Sequence, residues 1–498
     1  MLFESETNDT LATADAVSLG SAMNGQLSTS NDVDWYSFTA TGSGLVSVVF
    51  DAPTDDIYYT YFNVGLYNSS GGLLRTYGIG RDSTLNLGPI SVAGTYYVRV
   101  YDGYYYSNGQ YAATVNFTAG SVANYESETN DTLATADAVS LGSAMNGSLS
   151  TSSDLDWYKL AVVGPGAIMV SLDVPTSSSY EYFGLSFYNS SGVLLGRYST
   201  GSDKTFQFAA QQAGTYYLRL DAPGYYYSGS DYMLTASAGS GAIDQELEPN
   251  DDDANAIASG REIRGQLSTE DDIDWFVLAA DGAGDLQIVF DAPTNISTSD
   301  YFRIWVFDEA ANFLASRSTG VDINLYVGMP AGGNFYIAVT TDNSTFYSGG
   351  QYGLRATTTR SNINRESEPN NDTTSADSLA LNTAILGQLS GADDEDYYAL
   401  TIESPGVLSL NFDGPTNSNY LNYFKVEVYS PTGALLASRS TGTDTSLELK
   451  AATSGRYIAV VSAASALSLN GEDYRLTASA ALEDAIPESA IKGTSAGE

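Results

Sequence analysis

The segment ESETNDTLATADAVSLGSAMNG, from Glu4 to Gly25, returns letter for letter from Glu126 to Gly147. Looser copies open at Glu246 (ELEPNDDDANA) and Glu366 (ESEPNNDTTSA), so successive starts lie 122, 120 and 120 residues apart. Self-similarity at a fixed period restricts a chain to an array of one structural unit. A unit of that length is long enough to carry its own core. The reading is four domains, 1–120, 121–240, 241–360 and 361–480, followed by an acidic tail at 481–498.

Other landmarks keep the same order in every repeat. A Gly-x-Leu-Ser turn is expected at Gly25, Gly147, Gly265 and Gly387, followed by an Asp-x-Asp-aromatic unit ending at Trp35, Trp157, Trp275 and Tyr397. Pro-Thr follows at Pro53, Pro175, Pro293 and Pro415, and late in each unit a glycine leads into an aromatic segment, as in Gly94-Thr95-Tyr96-Tyr97. In the first repeat, alternation at period two predicts strands over Trp35–Ala40, Leu45–Phe50, Phe62–Tyr67, Thr95–Tyr101 and Tyr111–Phe117. Asn68-Ser69-Ser70-Gly71-Gly72 reads as a hairpin turn, and Leu11–Val17 as the one candidate short helix. Short strands joined by glycine-rich turns point to an all-β chain of four tandem jelly-roll-type β-sandwiches, beads on a string or a rod.

Composition removes several chemistries. The chain has no Cys and no His, which excludes disulfides, thiolate catalysis, the serine triad and nearly all transition-metal sites. Sixty acids against 20 bases give a net charge of −40, a surface that repels nucleic acid and attracts cations. Acidity alone would also keep a secreted protein soluble. No apolar run is long enough to span a membrane as a helix. Met1-Leu2-Phe3 leads at once into the first motif, so any export signal is expected to have been removed or to lie upstream.

The acids have a pattern. Glu4, Glu6 and Asn8 would share one face of an extended strand, with Asp9 beside them. If the chain folds back, Asp32 and Asp34 join them. Carboxylates gathered in this way repel one another unless a cation sits among them. An oxygen-only donor set of six suits Ca²⁺. The plain alternative is a solvated acidic loop. The fourth repeat, divergent elsewhere, nonetheless keeps Glu366, Glu368, Asn370, Asp394 and Asp396.

Glu-x-Glu-Pro-Asn-Asp/Asn (Glu246 to Asp251, Glu366 to Asn371), Gly-x-Leu, Asp-x-Asp-Trp/Tyr and a late Gly-x-Tyr-x-x-x-Val together resemble the bacterial pre-peptidase C-terminal domain, a family related to the collagen-binding domains of clostridial collagenases. The resemblance covers about residues 4 to 480 and implies a jelly-roll sandwich, secretion, and about one or two Ca²⁺ per domain. It places the metal ligands at Glu4, Glu6, Asn8, Asp9, Asp32 and Asp34 in the first repeat. The second repeat offers Glu126, Glu128, Asn130, Asp131, Asp154 and Asp156, and the third Glu246, Glu248, Asn250, Asp251, Asp272 and Asp274. The fourth offers Glu366, Glu368, Asn370, Asp394 and Asp396, with Asn371 where the others have Asp. Such domains commonly trail a secreted peptidase; no peptidase segment lies within this sequence, so the expectation is either a fragment or a chain in which the repeats themselves are the product.

The expected function is a non-enzymatic, calcium-stabilised extracellular or cell-surface protein: a stalk, biofilm-matrix component or filament subunit. Calcium at each short Gly/Ser/Ala joint would turn four beads into a stiff rod. The alternative is the targeting region of a secreted hydrolase that recognises collagen or polysaccharide. The expected partners are the chain itself, in a head-to-tail polymer, or an extracellular matrix protein or polysaccharide; no nucleic acid and no membrane span are expected, and no catalytic residue is assigned. Tyr104-Tyr105-Tyr106, Tyr225-Tyr226-Tyr227 and Phe346-Tyr347 form either an adhesive surface or an inward-packed cap, and Ala464-Ser465-Ala466-Leu467 replaces them in the fourth repeat.

Overall fold

A computed structural model describes residues 2–175, 178, 180–224, 229–239, 244–293, 299–342, 348–360, 364–391, 393–415, 421–465 and 472–482. The chain divides into two compact units, Met1–Glu248 and Pro249–Glu498, and each holds two repeats. Each repeat has its own hydrophobic core between two sheets. The fold is all-β. No helix among the described residues is long and apolar enough to cross a membrane.

The first repeat contains β1 (Leu2–Phe3), β2 (Asp15–Ala16), β3 (Ala22–Gly25), β4 (Val33–Ala40), β5 (Gly44–Asp51), β6 (Phe62–Tyr67), β7 (Leu73–Ile79), β8 (Ser83–Ile90), β9 (Gly94–Asp102) and β10 (Tyr111–Ala119). One sheet runs β1-β3-β10-β5-β8 and the other β2-β4-β9-β6-β7. The main ladders are antiparallel, while β1 and β2 pair in parallel with β3 and β4. The later repeats keep this order, except that their first sheet has four strands and no strand in the place of β1.

Alternation builds the core. Along β5, Val46, Val48 and Phe50 are buried, and along β9 Tyr96, Val98 and Val100 meet them from the opposite sheet. Each such side chain contributes roughly 1.5–3 kcal/mol through burial. The outward residues of the second sheet pack on one another: Trp35 lies 4.8 Å from Tyr67, and Arg99 sits over its ring at 5.5 Å.

The five expected strands appear, Phe62–Tyr67 with the expected bounds and the other four with one or two residues added at an end. The strands β7 and β8 carry Gly and Pro within LLRTYGI and STLNLGPI, which breaks a period-two pattern. Leu11–Val17 is not a helix: only Leu11–Thr13 forms a single 3-10 turn, and β2 follows. The Asn68–Gly72 turn joins β6 to β7 as expected. Asn68 Oδ1 accepts from the amides of Ser70 and Gly72 at 3.0 and 2.8 Å, and Gly71 takes φ 82°, a backbone conformation that favours glycine.

Candidate metal centre

The acidic motif is not the extended strand that alternation implies. Past β1 the chain turns, with the amides of Thr7 and Asn8 both donating to Ser5 O at 2.8 and 3.2 Å. Asp15 forces the turn by accepting from the Ser5 amide at 2.7 Å and its hydroxyl at 2.9 Å. Asp137 holds Ser127 in the same way at 2.6 and 2.7 Å, and Asp377 holds Ser367 at 2.8 Å on both. The same aspartates accept from the Asn130 and Asn370 side-chain amides, at 3.3 and 3.2 Å. Each asparagine therefore turns its carbonyl oxygen the other way. These aspartates escaped the sequence reading, although Asp15, Asp137 and Asp377 all lie at the same offset from the first glutamate.

The turn brings carboxylates together. In the second repeat, Glu126, Glu128 and Asp156 each offer an oxygen within 4.8 Å of the others; in the fourth, Glu366, Glu368 and Asp396 do the same. A tyrosine pair fixes the deepest two acids. Tyr158 donates to Glu126 Oε2 at 2.6 Å, Tyr232 donates to Asp156 Oδ2 at 2.6 Å, and the two hydroxyls touch at 2.5 Å. Tyr398 and Tyr474 repeat the arrangement on Glu366 and Asp396. In the first repeat Tyr36 and Tyr111 bind Glu4 and Asp34, each at 2.5 Å. The glycine of Gly-x-Leu is a space requirement more than a turn. It ends β3, and a Cβ on Gly25 would stand 2.5 Å from Glu4 Oε2 and from the Tyr111 ring.

With the tyrosines and amides spent on one side, oxygens on the other side have no donor. Asn130 Oδ1 and Asp156 Oδ1 are buried without a hydrogen-bond partner, as are Glu368 Oε1, Asn370 Oδ1 and Asp396 Oδ1. Buried acceptors left unpaired are costly. Burial first, and then Glu126 and Asp154, push the Glu128 carboxyl up to about 10. Burial followed by Asp394 and Glu366 push Glu368 up to about 9, and burial raises Glu126 to about 7. These groups fit a hard divalent cation: all donors are oxygen, most are carboxyl groups that a cation would hold ionised, and their unmet lone pairs converge.

The remaining candidates have mixed positions. Asp154 accepts from the Ser150 and Leu155 amides at 2.5 and 3.0 Å, and Asp394 Oδ2 accepts from the Ser390 amide at 2.7 Å, so both brace the loop beside the cluster. Asp131 is exposed and lies against Asp154. Asn371 accepts from the Glu395 amide at 3.3 Å, and Asp251 from the Ile273 amide at 3.1 Å. In the first repeat Asn8 is buried, Asp32 accepts from the Ser28 amide at 2.6 Å with Asp9 beside it, and Glu6 stays exposed. In the third, Glu246 and Glu248 are buried at the close of the first unit. Asn250, Asp272 and Asp274 are buried at the opening of the second, with Tyr352 donating to Asp274 at 2.5 Å.

Within each unit the preceding repeat walls the cluster. Leu74 and Pro89 line the cleft over Glu126 and Glu128, and the Ser150 hydroxyl donates to Leu74 O at 3.0 Å. In the second unit Leu314 and Gly328 line the cleft over Glu366 and Glu368, and the Tyr326 amide donates to Gln388 Oε1 at 3.2 Å. One arginine crosses each joint. Arg75 of the first repeat pairs with Asp231 of the second, and Arg365 of the fourth repeat pairs with its own Asp473 and with Asp285 of the third. The joint after β10 is also tied, because the Gly120 amide donates to Ser43 O at 3.0 Å.

The tyrosine loop of the first repeat does not pack inward. Tyr104, Tyr105 and Tyr106 are all exposed, and Tyr105 meets Tyr59 and Tyr104 at 4.6 and 4.9 Å between ring centres. Tyr225–Tyr227, Phe346, Tyr347, Ala466, Leu467 and the tail 483–498 lie outside the described residues.

No family model matches the chain. Among solved structures it is similar to the pre-peptidase C-terminal domain of a collagenase from Bacillus anthracis, at 20% identity over 20% of this chain and 94% of that one, with a TM-score of 0.17. It is also similar to the CUB1-EGF-CUB2 domain of human MASP-1/3, at 12% identity over 44% and 98% of the two chains and a TM-score of 0.16. A protein of Sulfolobus Turreted Icosahedral Virus matches at 13% identity over 64% and 80%, with a TM-score of 0.20. None of these superpositions reaches a score from which function follows.

Proposed function

We propose that the chain is a non-enzymatic, calcium-stabilised extracellular repeat protein with a structural or adhesive role, made of four pre-peptidase C-terminal-like sandwiches over 1–120, 121–240, 241–360 and 361–480. One observation carries the reading: buried acceptor oxygens without donors, Asp156 Oδ1 and Asn130 Oδ1 and their counterparts Asp396 Oδ1 and Asn370 Oδ1, beside two further carboxylates at a joint between repeats. Ca²⁺ bound by Glu126, Glu128, Asn130 and Asp156 would satisfy those lone pairs and cancel their repulsion, and Glu366, Glu368, Asn370 and Asp396 would do the same in the fourth repeat. Because the preceding repeat forms the wall of each site, the ion stiffens the joint as well as the sandwich. Extracellular modules bind at roughly 10⁻⁴ to 10⁻³ M, which corresponds to about 1–3 kcal/mol per site at extracellular calcium. An enzymatic use of the same carboxylates is disfavoured, since their free oxygens are buried beneath another repeat.

Calorimetry with Ca²⁺, together with thermal unfolding with and without EDTA, tests the proposal. Uptake of about one ion per repeat with a higher melting temperature is expected. No heat and an unchanged melting curve would end it.

A second reading, the targeting region of a secreted hydrolase, is favoured by the exposed tyrosine group of the first repeat, Tyr58, Tyr59, Tyr104 and Tyr105. Tyrosine gives contact area at low entropic cost. Retention on collagen, chitin or cellulose that is lost in Tyr104→Ser would support it.

A further inference from the structure

We infer that the open edge of the fourth sandwich, formed by Leu435–Thr441 of one sheet and Thr445–Ala451 of the other, docks the Glu4 end of a second copy of this chain, so that copies join head to tail. The inference deepens the structural role proposed above and is independent of the ion.

Inside each unit the same face already receives a following repeat. Leu74 and Leu314 occupy the bulge that interrupts the register between the two hairpin strands, between Leu66 and Tyr67 in the first repeat and between Val306 and Phe307 in the third. Both form part of the wall over the next acidic cluster, and they are 8% and 3% exposed. Leu436 holds the same bulge position in the fourth repeat. It is 41% exposed, and Leu435 beside it is 52% exposed. Among the described residues, an apolar face that is covered twice within the chain therefore stands open in the fourth repeat.

The opening repeat presents the counterpart. Phe3 pairs with Asn24 just as Tyr125 pairs with Asn146 and Arg365 with Leu386. It thus holds the position from which Arg365 reaches the preceding repeat, and it is 61% exposed. Glu6 is exposed where Glu128 and Glu368 lie under a wall. Ala437 replaces Arg75 at the open face, and Gln110 stands at the open head where Asp473 stands in the fourth repeat. Leucine–phenylalanine contact takes the place of the buried Arg–Asp pair of the inner joints. Continuity with those joints selects a second copy over an unrelated partner.

The chain has no cysteine, so engineered ones report cleanly. Phe3→Cys and Leu436→Cys chains are mixed and oxidised, and a chain carrying both substitutions is oxidised alone. Mixed dimers in clear excess over either homodimer, and a ladder of multimers from the double variant, are expected. A statistical mixture, homodimers alone or no cross-link would overturn the inference. Sedimentation velocity of the unmodified chain gives a second reading, in which mass rises with concentration in both calcium and EDTA. Leu436→Glu, at a surface position that leaves the fold intact, lowers the association constant by roughly tenfold or more. A monomer at every concentration would overturn the inference, while calorimetric calcium uptake by the same sample would leave the proposed function standing.

Discussion

The guanidinium of Arg365 grips both carboxylate oxygens of Asp473, at 2.9 and 2.5 Å, while lying 5.0 Å from the centre of the Tyr326 ring in the preceding repeat. In the first unit the corresponding aspartate, Asp231, meets an arginine from the other side of the joint, Arg75. Each of these aspartates immediately precedes the core tyrosine that donates to the acidic cluster, Tyr474 or Tyr232. The positive charge has changed sides while the acid has stayed in place, which ties the joint to the cluster by one residue.

Breaking that pair is expected to destabilise the second unit. Asp473→Asn takes the negative charge from the guanidinium's two-oxygen partner and leaves Asp285, at 3.6 Å, as its paired carboxylate. The loss should be about 2–4 kcal/mol, seen as a lower urea midpoint for one of two transitions. An unchanged midpoint would show that the joint does not depend on the pair.

Glu128→Gln and Glu368→Gln should act differently in the two metal states. Without a cation the two carboxyls, raised to about 10 and about 9, are held protonated near neutral pH, so the amide replaces a neutral group and the chain melts at about the same temperature. With calcium it removes a ligand, and the stabilisation of roughly 1–3 kcal/mol per site shrinks. Equal shifts in EDTA and in calcium would contradict the assigned role.

The pH dependence follows from the same acids. Glu128 and Glu368 are raised to about 10 and about 9 in the folded chain, against roughly 4.3 when unfolded. A group raised on folding stabilises fully below its unfolded pKa, and that contribution is lost as pH climbs through the folded value. In EDTA the melting temperature should therefore fall from pH 5 to pH 9. The slope should flatten in the Glu128→Gln/Glu368→Gln chain and in saturating calcium, and calcium binding should release protons. A slope untouched by both would assign it to the net charge of −40 alone.

Asp137→Ala tests the brace behind the ligands. Asp137 accepts from the Ser127 amide and the Asn130 side chain, and so aims Asn130 Oδ1 at the cluster. Losing such a supporting partner typically lowers metal affinity roughly 10- to 100-fold. Titration calorimetry should show the weaker site with Glu126, Glu128 and Asp156 all still present.

The strands β4, β5, β6, β9 and β10 were legible because Val46, Val48 and Phe50 alternate with outward residues, and a half-buried strand must alternate. β7 and β8 were not, since Gly78, Gly88 and Pro89 interrupt the period. The acidic cluster was anticipated from residue type, yet by way of a straight strand. Ser5 and Asp15 fold that segment into a turn instead, and a hydrogen bond across ten residues leaves no periodic trace. Tyr36 and Tyr111, far apart in sequence, meet at 2.6 Å behind Glu4, a contact set only by the packing of β4 against the opposite sheet.

The sequence by itself determined the period, the all-β class and an oxygen-only set of acids, because composition, repetition and alternation are local properties of a chain. Tertiary structure decided which acids converge, which of their oxygens lack a donor, and which repeat covers them. Those are matters of distance and desolvation, and both arise only when strands remote in sequence pack together.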